Sequence, residues 1–127
     1  MDDKAWENEC KEREKRRLRL EVFVRKAIRE VETWIMPELG PRYHFSLFFG
    51  AIGADPKYLV IWYFMESDAD LKQVKQNGLA KRVDARTRKV LAKHSYPKDV
   101  LDKIHVAFGS HEDVVRWNDG NYYQYLK

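Results

Sequence analysis

The segment Lys57–Met65 (KYLVIWYFM) constrains the fold more than any other part of this chain. Successive side chains of an extended segment point to opposite sides. Val60, Trp62 and Phe64 therefore share one face and Leu59, Ile61, Tyr63 and Met65 the other, and both faces are apolar. Such a segment reads as a central strand, covered by two layers of its own chain or by helix on one side and a partner on the other.

The chain has to supply that cover from 127 residues, 44% of them hydrophobic and 13% aromatic. That length reads as a single domain, residues 1–127, which buries roughly 68% of its unfolded surface and needs no metal or disulfide staple. Cys10 is the only cysteine, so an intramolecular disulfide is excluded and a reducing, cytoplasmic setting is expected. The apolar run Tyr58–Met65 is far shorter than the ~20 residues of a membrane helix. Met1–Arg17 is crowded with charge and lacks the apolar core of a signal peptide.

Around the central strand the sequence predicts an α+β domain with a small, largely antiparallel sheet of about four strands, in the order α-β-β-α-α-β-α-β. The first element is a long helix from Lys4 to Met36, with Leu20, Val24, Ala27, Ile28, Val31 and Ile35 on one stripe and Pro37 as its stop. Thirty-three helical residues span ~50 Å, against a radius of gyration of ~14 Å for a domain of this size. Residues 1–16 are therefore expected to overhang or fray, carrying Trp6 outward as a contact for a partner or for a second copy of the chain.

Arg42–Phe49 alternates as a strand and forms a hairpin with Lys57–Met65. Ser67 with Asp70, and Ser110 with Asp113, have the spacing of helix N-caps; Asn77 and Gly78 separate two helices, the second running from Leu79 to His94. Ile104–Phe108 reads as a strand, His111–Trp117 as a short helix and the tyrosine-rich Asn121–Leu126 as a last strand.

Three functional readings follow. Tyr43, Phe45, Phe48, Phe49, Tyr58, Trp62, Tyr63, Phe64, Tyr122, Tyr123 and Tyr125 give the sheet more large side chains than one helical layer covers. The surplus, with Trp62 and Tyr123 as its amphipathic members, suits a non-catalytic protein-binding domain, of which toxin-neutralising immunity proteins are an instance in size and character.

The formal charge of +4 is uneven. Residues 72–93 hold Lys72, Lys75, Lys81, Arg82, Arg86, Arg88, Lys89 and Lys93 against Asp84, +7 in all, which leaves −3 for the rest. Arg82, Arg86, Lys89 and Lys93 lie opposite the Leu79 and Val83 stripe and could contact phosphates, the second reading. Within this segment no aromatic residue supplies the stacking platform that single-strand binders use.

The third reading is a small metal-independent nuclease, with His44 and His105 as general base and acid and Glu66 orienting one of them. No paired Cys/His spacing suggests zinc, the acidic group Glu66, Asp68 and Asp70 is explained by helix starts, and no cofactor motif is present. His111, just after a predicted cap, reads as a surface residue of a first helical turn.

Overall fold

The computed structural model describes residues 3–127; residues 1 and 2 of the expected overhang lie outside them. Helix α1 (Asp3–Leu39) buries Leu20, Val24, Ala27, Ile28, Val31, Ile35 and Leu39, the stripe expected from sequence extended by one turn. It runs through Pro37. A proline removes one helical hydrogen bond, and here burial of Leu39, one turn beyond Ile35, offsets that loss. The helix gives way at Gly40, which turns left-handed at φ +53°.

All of residues 3–15 are exposed. The helix meets the body of the protein from Arg13 onward, where the loop following the first strand closes on it. Arg16 donates to the Gly53 carbonyl at 3.0 Å. A Cβ on Gly53 would lie 2.5 Å from the Arg13 carbonyl oxygen, so this contact is backbone on backbone and needs glycine.

Three strands form the sheet in the order β1 (Tyr43–Phe49), β2 (Val60–Met65), β3 (His105–Ser110). The segment that is apolar on both faces thus supplies the central strand, but only from Val60: Pro56–Tyr58 forms a 3-10 turn, its start capped by the Asp55 side chain, which accepts from the Lys57 amide at 3.0 Å. β1 pairs antiparallel with β2, Ser46 opposite Tyr63 and Phe48 opposite Ile61, and the register shifts between Tyr43 and Phe45. β3 pairs parallel with β2, Ile61 beside Val106 and Tyr63 beside Phe108, so the sheet is mixed and not largely antiparallel. The reason is the connection: residues 66–104 carry α2 (Asp68–Gln76), α3 (Leu79–Lys93) and a 3-10 turn (Lys98–Val100). A crossover of that length returns the chain in the same direction beside its starting strand.

The expected fourth strand is absent. After α4 (His111–Asn118), Tyr122–Tyr125 forms a one-turn helix, α5, capped by the Asn121 side chain, which accepts from the Gln124 amide at 3.1 Å. The tyrosines that suggested a strand instead lay rings on the sheet, and the element order is α-β-β-α-α-β-α-α. The helix starts follow the sequence. Ser67 accepts from the Asp70 amide and Ser110 from the Asp113 amide, each at 3.1 Å. Gly78, at φ +81°, separates α2 from α3.

One sheet face packs Ile61, Tyr63 and Met65, with Phe48, Val106 and Phe108, into the core beneath α1 and α3. At its centre Thr87 of α3 donates to the Val83 carbonyl, and the Tyr63 hydroxyl donates to Thr87 Oγ1, both at 2.7 Å. Burial keeps the Tyr63 phenol neutral far above its ordinary range. Arg88 bonds to Asp84 at 2.7 Å and to the carbonyls of Leu101 and Ile104, tying the end of the crossover to α3. No described helix is long and apolar enough to cross a membrane.

Candidate functional site

The second face of the sheet carries Phe45, Leu47 and Phe49 from β1, Val60, Trp62 and Phe64 from β2, and His105, Ala107 and Gly109 from β3. Only α5 crosses it. Tyr122 meets Phe45 and Phe64 edge-on, at centroid distances of 4.7 and 4.8 Å, and Tyr125 reaches Phe64 at 6.4 Å. Under this cover Phe64 is fully buried. Trp62 stacks against Phe64 at 5.4 Å and lies over Gly109, where a Cβ would come within 3.3 Å of the indole and 2.8 Å of the Phe64 ring. Glycine here leaves room for two stacked aromatic rings flat on the sheet.

Beyond α5 the cover stops. Leu47, Val60, Trp62 and Ala107 are half-buried, Phe49 is 42% exposed, and none of the five reaches the burial of Ile61, Tyr63 and Met65 on the opposite face of the central strand. A hollow of about 320 Å³ opens between Phe49 and the residues Tyr123, Leu126 and Lys127. Tyr123 is exposed, with the Lys127 ammonium 5.3 Å from its ring. Trp62 and Tyr123, singled out from sequence, thus border one apolar surface. Trp6 stands apart on the exposed turns of α1.

At the end of this face that α5 covers, four polar side chains converge. His44 Nδ1 lies 2.8 Å from Glu66 Oε1; an ionised carboxylate only accepts, so His44 Nδ1 carries the proton. The His44 ring stacks on that of His111 at 4.0 Å, and His111 Nδ1 lies 2.6 Å from the Tyr122 hydroxyl. His44 and Glu66, two of the three residues proposed for acid–base chemistry, are therefore in contact. His105 is not with them: it pairs with Val60 at the far end of β2, roughly 16 Å along the strand.

His111 takes the place beside His44. The signal for it was present in the cap at Ser110 and became informative only with the parallel pairing that sets Ser110 beside Met65, next to Glu66. There the starts of α2 and α4 interlock: Ser110 donates to Asp68 at 2.5 Å, the Asp68 amide to Glu112 at 3.1 Å, and the Glu112 amide to the Glu66 carbonyl at 3.2 Å. The hydrogen bond from Ser110 and that from Arg116 hold the Asp68 carboxyl below the usual range. Arg116 contacts Asp68, Asp113 and Glu112 at 2.5, 2.9 and 3.6 Å.

Burial, with a smaller contribution from Glu66, pushes the Tyr122 phenol up to about 12. A histidine oriented by a carboxylate is the geometry of a general base. Glu66, Asp68, Glu112 and Asp113 gather at the adjoining starts of α2 and α4, and Arg116 is engaged by three of them, an excess of carboxylates that does not favour a phosphate ester there. Among the described residues no group of three or more His, Cys, Asp or Glu side chains could hold a metal ion.

The basic residues lie on the other layer. Arg82 pairs with Glu38 at 3.3 Å and Lys93 with Glu30 at 2.8 Å; the Arg86 guanidinium sits 5.1 Å from the Trp34 ring; Lys89 lines a hollow beside Arg86. No family model, curated protein or solved structure matches the chain.

Proposed function

We propose that the protein is a non-catalytic binding domain that docks another protein on the second face of its sheet. Trp62 carries this reading: at the centre of the central strand it is only half-buried, on a face where, among the described residues, the single turn of α5 and the two residues after it supply the cover. The open area, three strands wide and three residues long, measures roughly 14 by 10 Å, and a helix with its side chains is about 10 Å across. One amphipathic helix laid beside α5 fills it and reproduces the α1 and α3 layer opposite. The Phe49 hollow would then receive an apolar side chain of that helix.

The test is site-specific photo-crosslinking in the native host, with a photoreactive amino acid replacing Trp62 or Ala107, and replacing exposed Gln76 as control. An adduct with one defined protein from positions 62 and 107, absent at 76, supports the reading. Adducts equal at all three positions, or none, would sink it; an adduct with a second copy of the chain would replace the heterologous partner by a homodimer.

A further inference from the structure

Sequence alone leaves the basic segment of α3 without an aromatic platform, and the fold provides one from α1. Lys26, Arg29, Glu30, Thr33 and Trp34 recur at helical spacing along one stripe of α1 and, with His94, border a hollow of about 450 Å³. Arg86, Lys89, Val90 and Lys93 form the corresponding stripe of α3 and, with Glu30, border an adjoining one of about 240 Å³. Five cations face one carboxylate in this groove, a local charge of +4 that equals the net charge of the entire chain. Among the described residues only Lys93 of the five forms an ion pair, with Glu30, which His94 also contacts at 3.3 Å.

Two details point to the kind of ligand. Trp34 is 37% exposed and forms one wall of the larger hollow, and the Arg86 guanidinium lies 5.1 Å from its ring. Arg86 Nε is buried and, among the described residues, is the one such side-chain nitrogen or oxygen without a hydrogen-bond partner. Closed off from solvent, that nitrogen is out of a ligand's reach, and Arg86 bears on the site through its place over the Trp34 ring.

We propose that the groove between α1 and α3 binds single-stranded nucleic acid, with phosphates along Lys26, Arg29, Lys89 and Lys93 and an unpaired base against Trp34. Cations supply sequence-blind attraction to the backbone, and an indole adds stacking that any unpaired base can use. A hollow of 450 Å³ is in the size range that holds a nucleotide-sized group. An acidic peptide would use the cations and leave the indole idle, and so would a duplex, whose bases are already stacked.

The experiment is fluorescence anisotropy of a labelled oligothymidylate and a labelled oligouridylate with the full chain across a sodium chloride series. Binding should weaken with salt with a logarithmic slope of about −3, for four to five phosphates neutralised. Arg29→Glu with Lys89→Glu should abolish it, and Trp34→Leu should weaken it roughly tenfold and remove the quenching of tryptophan emission that the strand causes. Lys72→Glu with Lys75→Glu, on α2, should leave it unchanged.

No binding, or equal loss in the α2 variant, overturns the proposal, the latter by reducing it to diffuse net charge. Equal competition by poly-glutamate, or tighter binding of the matching duplex, also overturns it in favour of an acidic protein or double-stranded ligand. If the charge reversals disturb folding by circular dichroism, Arg29→Gln with Lys89→Gln replaces them. Loss of the quenching in Trp34→Leu, in which the other three tryptophans remain, then still decides whether Trp34 meets the strand.

Discussion

Replacing Thr87 by valine should destabilise the protein more than replacing Tyr63 by phenylalanine, although both break the same hydrogen bond. Both residues are buried, at 0% and 1% exposure, and their oxygens are 2.7 Å apart. Thr87 gives its proton to the Val83 carbonyl, so Tyr63 is the donor in the shared bond. In Tyr63→Phe the threonine keeps a partner, and the loss is one net hydrogen bond, about 1 kcal/mol. In Thr87→Val the phenol is stranded in the core beneath α3. The cost is then its desolvation penalty as well, about 2 to 3 kcal/mol in all. Removing both oxygens leaves nothing stranded. The double variant should therefore be more stable than Thr87→Val alone, by about 1 kcal/mol or more. Urea unfolding followed by circular dichroism measures all four proteins, and an unchanged m-value shows that the unfolded states are comparable. Additive losses, or a Thr87→Val variant no weaker than Tyr63→Phe, would refute the assignment of donor and acceptor and with it this account of the core.

Two further outcomes follow from the other end of the sheet. Ser110→Ala removes the N-cap of α4 and the hydrogen bond to Asp68, and should cost about 1 to 2 kcal/mol, seen as a fall in Tm of roughly 4 to 8 °C in calorimetry. At alkaline pH the tyrosines of α5 become the sensitive groups. Burial raises the Tyr122 and Tyr125 phenols to about 12, the latter aided by its hydrogen bond to Asp113, against an ordinary value near 10. Their contribution is therefore complete below pH ~10 and is lost as pH rises toward 12, because the unfolded chain releases those protons first. Stability measured by denaturant at a series of alkaline pH values should decline over that window, and Tyr122→Phe with Tyr125→Phe should lessen the decline without removing it, since burial raises the Tyr43, Tyr63 and Tyr96 phenols as well.

Local signals in this chain translated directly into local structure. The caps at Ser67 and Ser110, the break at Gly78 and the apolar stripe of α1 are each set by residues a few positions apart. Their physics is therefore readable without the fold. Pro37 misled by one turn because its local cost is outweighed by the burial of Leu39, a contact between distant residues. Asn121–Leu126 misled because aromatic residues fit a strand or lie across one equally well. Which of the two occurs depends on whether an edge is free for pairing, and here a cap at Asn121 and the face over Phe64 decided it.

The candidate site divides the same way. Trp62 and Tyr123 were legible as surplus aromatics, and His44 with Glu66 as hairpin neighbours. The substitution of His111 for His105, and the arrival of Trp34 beside Arg86, were not legible, since each joins residues more than fifty positions apart. From sequence alone, Lys57–Met65 reads as a central strand in need of cover on both faces, because side-chain alternation is a property of the backbone, and Val60–Met65 is that strand. Only the tertiary structure decided which face goes short of it. The crossover carried β3 parallel to β2, α1 and α3 were committed to the Tyr63 side, and one turn of helix was left for the side of Trp62.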